Sequence, residues 1–338
     1  MTKDYRQPPP QDPASSGLDE TDAEPGDDQS VETRASFVGE AAHGQRLDRF
    51  LVDMAEEFSR SHLQSLIERG CVRLDGATQS SSSRRLRAGQ RVEVDLRPTA
   101  QSQAFRPQPM SLRIVYEDEH LLVLDKPAGL VVHPAAGHWQ GTLLNGLLAH
   151  HAAAAALPRA GIVHRLDKDT SGLMVVAKTL EAVAALVRAM SARDVRREYI
   201  ALCHGCPEPA QFSVDAPIGR DRASRVRMAV VRDGKPARTD VDRLACRDGF
   251  AALRCRLHTG RTHQIRVHLA WRGHPLVGDA LYGGAPALGL SRQALHAERL
   301  AFVHPLGGRW MDFVAPAPAD LATAWQAVCP PQRAGRRS

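Results

Sequence analysis

Aromatic residues make up only 5% of the 338-residue chain, which excludes a binding surface built from many stacked rings. No apolar run approaches the roughly 18 residues that a membrane helix needs. The longest candidates are Leu121 to Leu124 and the alanine tract before Leu157. The N-terminus has no apolar signal-peptide core, so a cytoplasmic protein is expected. Six cysteines scattered over so long a chain argue against a disulfide scaffold and suit a reducing compartment. Cys203 and Cys206 have CxxC spacing but no second ligand pair, so they read as small strand residues rather than zinc or redox groups. Dinucleotide and phosphate-loop glycine signatures are both missing.

What is present is ordinary for a globular protein, with 43% hydrophobic and 24% charged residues, enough for two domains and a sizeable core. Charge is uneven. Residues 1–36 hold nine acids and three bases and almost no large apolar side chains, so a disordered acidic tail is expected there. The overall charge is +6, which leaves +12 on the remainder and points to a polyanionic partner.

Order is expected from Phe37. Leu47, Phe50, Leu51 and Met54 follow helical spacing, and Ser59 caps a second short helix carrying Leu63, Leu66 and Ile67, which Gly70 stops. Alternating Val72 and Leu74, the Asp75-Gly76 turn, and Val92 with Val94 then read as a small sheet. With Arg46, Arg60 and Arg69 around the helix pair, residues 37–98 resemble the S4 RNA-binding domain, and those arginines are its expected RNA contacts. Their net charge is only +1, so a generic α+β module is the alternative. Residues 99–110 form the expected linker, 111–328 a second, larger domain and 329–338 a basic tail.

Strands predominate beyond Ser111: Ile114 to Tyr116, Leu121 to Leu124, Leu130 to Val132, Ile162-Val163, Leu173 to Ala177, Tyr199 to Leu202 and Leu253 to Leu257. Short turns between neighbours predict a mixed, largely antiparallel sheet in an α+β domain. A helix capped by Thr179 should bury Val183, Leu186, Val187 and Met190, and another should run from Thr262 to Arg272, with Thr262 as its cap. Between two apolar runs lies the polar loop His164-Arg165-Leu166-Asp167-Lys168-Asp169-Thr170-Ser171-Gly172. A scaffold can fix ionisable groups there, and an arginine near Asp167 would orient its carboxylate for nucleophilic chemistry. His164 to Asp167 superficially echoes a kinase catalytic loop, but the other kinase motifs are missing.

Gly161 to Gly172 resembles the signature of the RluA/RluD family of RNA pseudouridine synthases. Asp125 to Pro134, Arg197-Glu198-Tyr199, Gly260 to Leu269, Gly278 to Gly283 and Ala294 to Ala297 are similar to that family's other motifs, in its order. The resemblance spans about residues 37–320, and Pro158-Arg159-Ala160 with Arg227 to Val230 points to the RluD type. It implies a pseudouridine synthase fold and isomerisation of uridines in large-subunit (23S) rRNA, in the helix 69 stem-loop. That reaction adds and removes nothing, so neither cofactor nor metal is expected. Asp167 matches the family's essential aspartate, Arg266 the arginine that pairs with it, and Tyr199 the tyrosine that packs on the base. Arg165 matches the residue that holds the distorted RNA, and Lys126, His164, Thr170, Arg261 and His263 in these motifs are expected to contact RNA. The expected partner is large-subunit rRNA or a pre-ribosomal particle, met by a monomer. A non-catalytic RNA-binding or assembly factor on the same fold is the alternative.

Overall fold

The computed structural model describes residues 32–96, 104–135, 138–224 and 226–330. The chain divides into two compact units, Met1–Pro98 and Thr99–Ser338.

The first unit contains strand β1 (Glu32–Phe37), helices α1 (Leu47–Met54) and α2 (Arg60–Glu68), and strands β2 (Val72–Leu74), β3 (Ala77–Gln79) and β4 (Arg91–Leu96). Leu47, Phe50 and Leu51 of α1 and Leu63, Leu66 and Ile67 of α2 pack on Val72, Leu74, Val92 and Val94, so the expected apolar stripes form one core. Ser59 caps α2 by accepting from His62 N–H. Asp75 and Gly76, both at positive φ, close the β2–β3 hairpin. All pairs in this sheet, order β1-β4-β2-β3, are antiparallel.

Order begins earlier than Phe37. Residues 32–36, expected in the acidic tail, lie in β1, which pairs with β4 from Glu32↔Leu96 to Phe37↔Arg91. Backbone pairing along an edge needs no apolar side chains, which is why composition missed this strand. The rest of the expected tail, 1–31, lies outside the described residues, as do 331–338 of the basic tail and 97–103 around the linker.

The second unit is built on a nine-stranded sheet. In chain order its elements begin with β5 (Ile114–Glu117), β6 (Leu121–Lys126), α3 (Leu143–His150), β7 (Ser171–Ala177), α4 (Leu180–Ala192) and β8 (Arg196–His204). They continue with β9 (Gln211–Asp215), β10 (Ile218–Arg220), β11 (Met228–Val230), β12 (Arg238–Arg247), β13 (Phe250–Leu257) and α5 (Gln264–Trp271), then β14 (Leu295–Val303), β15 (Trp310–Val314) and α6 (Ala319–Val328). The sheet runs β5-β6-β7-β14-β8-β13-β12-β9, with β15 on β14 and β10–β11 as a separate hairpin. Only β7–β14 is parallel, so the sheet is mixed and largely antiparallel, as expected. β6 and β7 are buried along their whole length, between α3 on one face and α4 on the other.

The β7–β14 junction fixes the polar loop. A Cβ on Gly172, at φ +115°, would lie 2.3 Å from Ala297 O, and one on Gly161, at φ +80°, 1.9 Å from Ala177 O. Gly172 at the loop's end and Gly161 three residues before its start therefore lie against backbone that only glycine can approach.

Several local expectations are corrected. Leu130 to Val132 is not a strand, because the Val131 and Val132 carbonyls accept from Leu143 and Leu144 N–H at the start of α3. Ile162 makes a single bridge to Val176. Val187 is exposed, and α4 buries Ala182 and Leu186 instead. Thr262 does not cap α5; His263, in the left-handed region, holds that position. Residues 104–110 of the expected linker are docked on the unit: Asn145 Nδ2 donates to the Ala104 and Arg106 carbonyls, and Ala104 is buried. Cys206, expected to be a small strand residue, instead forms a disulfide with Cys246, their Cα atoms 5.9 Å apart. They lie 40 positions apart in sequence, Cys206 in the loop after β8 and Cys246 on β12, and are brought together only by the fold, where spacing rules cannot see them. Among the described residues no helix is long and apolar enough to cross a membrane.

Candidate active site

A cavity of about 570 Å³ opens where the polar loop, the start of β8 and the start of α5 converge. Asp167 lines it, its side chain 15% exposed. The loop is shaped from beneath by Lys126. Its ammonium donates to the carbonyls of Pro127, Leu130 and Lys168 at 2.7, 2.9 and 2.9 Å. Burial pushes Lys126 down to about 8, against the pull of Asp169 and Asp167. Expected as an RNA contact, Lys126 is instead fully buried, and its three carbonyl partners satisfy all its donors.

α5 buries Ile265 and Leu269 in the core shared with Tyr199 and Leu253, and this turns the intervening Arg266 toward the loop. Arg266 Nη1 donates to Asp167 Oδ2 at 3.0 Å. Its Nε and Nη2 donate to Asp279 Oδ2 and Oδ1 at 2.7 and 2.8 Å. Burial alone would lower this guanidinium's pKa, but Asp279 and Asp167 push it up instead. The guanidinium carbon lies 5.0 Å from the Tyr282 ring centroid. Tyr282 Oη accepts from Met228 N–H and lies 2.8 Å from His263 Nδ1. That contact fits a tautomer with the proton on Nε2, which lies 3.9 Å from Asp167 Oδ1. Among the described residues Oδ1 takes no hydrogen bond, so Asp167 is tethered by one oxygen and leaves the other unengaged.

Tyr199, on β8, is 5% exposed and lines the same cavity, its phenol pushed up by burial. Arg165 is exposed at its mouth. Arg197 enters beside Tyr199, and a Cβ on Gly260 would lie 2.8 Å from its Nη1, so the glycine leaves room for the guanidinium. Among the described residues its buried Nε has no hydrogen-bond partner, and neither does His133 Nε2 in the same cavity.

Asp167, Tyr199, Arg266, Arg165, Arg261 and His263 are thus brought together. Thr170 lies in the cavity wall but is 1% exposed, with its Oγ1 accepting from Gln293. His164 also lines the cavity, yet its Nε2 accepts from Val175 N–H, and burial with Arg197 nearby pushes its pKa down to about 3. It is a neutral brace between loop and β7 and cannot serve as a cationic RNA contact. Arg46, Arg60 and Arg69 belong to the other unit. There Asp48, fully buried, accepts from Arg46, Arg60 and Gln64, and Arg69 is exposed at the end of α2. Asp279, Tyr282 and Arg197 are site residues that the sequence does not single out; the Gly278 to Gly283 motif was the available signal for the first two and Arg197-Glu198-Tyr199 for the third.

The buried histidines give the fold an acid limb. Burial pushes His164 down to about 3 and His133 to about 4, and it lowers His268 and His296 as well. Below about pH 6.5 the unfolded chain binds protons that the native state refuses, so unfolding free energy falls with pH from about 6.5 toward 4. Asp48 is held low by Arg46, with help from Gln64 and Arg60 against burial; its contribution is present above about pH 4 and is lost only below that. Melting temperature should therefore drop between pH 7 and pH 5, and His164→Gln should flatten the drop. A melting temperature constant over that range contradicts this reading.

Among the described residues no group of three or more His, Cys, Asp or Glu side chains could hold a metal ion. Residues 120–271 match the family model described as RNA pseudouridylate synthase. The chain is 48% identical to the ribosomal large subunit pseudouridine synthase D of Xanthomonas campestris pv. campestris over 311 residues, 87% of this chain and 92% of the relative. It is 47% identical to the protein of the same description from Nitrosomonas europaea over 293 residues, 84% and 85% of the two chains. Among solved structures it resembles human RNA pseudouridylate synthase domain containing 1, at 28% identity and a TM-score of 0.50, over 62% of this chain and 86% of that one.

Proposed function

The chain belongs to the RNA pseudouridylate synthase family, among the ribosomal large subunit pseudouridine synthases of the D type, and from that premise we propose that Asp167 is the group through which it converts uridines, in the helix 69 stem-loop of large-subunit rRNA. The enzyme is an isomerase with the α+β fold of its family, preceded by a small α+β domain. The observation that carries the assignment is the singly tethered carboxylate in a cavity lined by Arg159, Arg165, Arg193, Arg197, Arg261 and Arg266. That cation excess suits the phosphates of an unstacked nucleotide.

In the reaction the N1–C1′ bond breaks, the uracil turns, and C5 bonds to C1′. The C5 proton leaves and N1 regains one, so atoms balance without a co-reactant. Asp167 acts as a nucleophile at C1′ or C6, or as a base. Tyr199 offers a ring face to the uracil and a protonated hydroxyl beside it. Arg165, exposed at the cavity mouth, holds the RNA with the target base everted. Arg261 and His263 meet the backbone near the site. The N-terminal unit works as an S4-like RNA module through Arg46, Arg60 and Arg69; the first two are anchored on Asp48 yet keep side chains 39% and 56% exposed. The enzyme works as a monomer in the cytoplasm, where its substrate is made.

Incubating the protein with a large-subunit rRNA stem-loop transcript and mapping pseudouridine by carbodiimide labelling tests this. Conversion at discrete uridines supports it. Tight binding without modification favours the assembly-factor reading.

A further inference from the structure

We propose that Asp279 is a positioning residue that prevents Arg266 from closing over both oxygens of Asp167, and so keeps one carboxylate oxygen of Asp167 available to the substrate. The inference rests on Asp167 being the reacting group and concerns what holds it ready. An arginine beside a lone carboxylate prefers a bidentate fork, two parallel N–H···O bonds. In this site the fork is given to Asp279, through Nε at 2.7 Å and Nη2 at 2.8 Å. Asp167 receives only Nη1, at 3.0 Å, on Oδ2. Asp279 is 2% exposed and Arg266 6%, so neither pairing is dictated by solvent.

The same short segment fixes the guanidinium in a second way. Tyr282 stands three residues beyond Asp279, its backbone N–H donating to Asp279 O, and its ring faces the Arg266 guanidinium at 5.0 Å. One edge of the cation is thus held by a carboxylate fork and one face by a ring, which fixes its orientation, and in that orientation Asp167 is reached through Nη1 alone among the described hydrogen bonds. Charge follows the same logic. One guanidinium is shared by two carboxylates, so the three groups together keep a net negative charge beside the substrate. If Asp279 were neutral, Arg266 and Asp167 would form a closed pair with no net charge and no unengaged oxygen.

Asp279→Asn replaces one acceptor of the fork with an NH₂ that faces an N–H of Arg266, and the arginine then swings onto Asp167. A displacement on the order of 1 Å at a reacting group costs about 100-fold in rate. Single-turnover conversion at saturating stem-loop RNA should therefore fall about 100-fold, while the dissociation constant for that RNA changes less than about threefold. Asp279→Glu, which keeps a fork on a longer arm, should recover part of the rate.

The decisive arm is a double-mutant cycle. In an Arg266→Met background, where there is no guanidinium to direct, Asp279→Asn should have no further effect on the rate. An equal loss in both backgrounds overturns the proposal, and so does full activity of Asp279→Asn in the wild-type background. An Asp167→Asn variant run alongside separates the two claims. If it is inactive while Asp279→Asn is fully active, Asp167 stands and the positioning role falls.

Discussion

Asp167→Asn should lower pseudouridine formation by at least about 10⁴-fold, the scale seen when a residue central to covalent or acid–base chemistry is removed. Each tenfold is about 1.4 kcal/mol, so this is about 5.5 kcal/mol of lost transition-state stabilisation. The fold should survive, because an asparagine oxygen still accepts from Arg266 Nη1, which is held independently by Asp279. RNA affinity should stay within a few-fold of wild type or rise slightly, since a negative charge leaves a cavity lined by six arginines. Primer-extension mapping after carbodiimide treatment, with a filter-binding isotherm on the same transcript, measures both. Retained turnover would mean that another carboxylate does the chemistry.

Lys126→Met should have the largest effect on stability, and should lower activity as well. The substitution leaves the carbonyls of Pro127, Leu130 and Lys168 facing an apolar side chain at a fully buried position. Breaking a buried, hydrogen-bonded charge costs about 3–5 kcal/mol, equivalent to roughly 10 °C in melting temperature for a unit of this size. Lys168 O is one residue from Asp167, so the loop loses its inner anchor and turnover should fall by at least about tenfold. Lys126→Arg should not rescue, because a planar fork cannot match three convergent carbonyls. Thermal denaturation and turnover of both variants test this; unchanged melting and turnover in Lys126→Met would show that the anchor is dispensable.

The sequence revealed most about what depends on local pattern. The stripes of α1 and α2, the Ser59 and Thr179 caps and the Asp75-Gly76 turn each depend on neighbours within a few residues, and each formed. The polar loop was legible because ionisable residues cluster between two apolar runs, and the family motifs singled out Arg266, whose bond to Asp167 crosses 99 positions. What escaped depends on contacts that no local pattern encodes. A lysine in a polar motif looks like a cation for RNA until the fold surrounds it with carbonyls, as it does Lys126. His164 likewise reads as an RNA contact until its ring meets Val175 N–H. Strand β1 has almost no hydrophobic signal because it is held by backbone pairing and by polar side-chain contacts such as Thr33 with Asp95 and Arg34 with Glu57, and residues 104–110 look like linker until the Asn145 amide takes up two of their carbonyls. Asp279 is the clearest omission: its motif was visible, but its role exists only because Arg266 reaches it through space.

Release of tritium from large-subunit rRNA carrying 5-tritiated uridine tests the central claim most directly, because C5 must lose its hydrogen when it bonds to C1′. With wild-type enzyme in single turnover, one tritium should be released per pseudouridine formed, and with Asp167→Asn none above background. Equal release by the two proteins, or none by wild-type enzyme on RNA that it binds, would contradict the account.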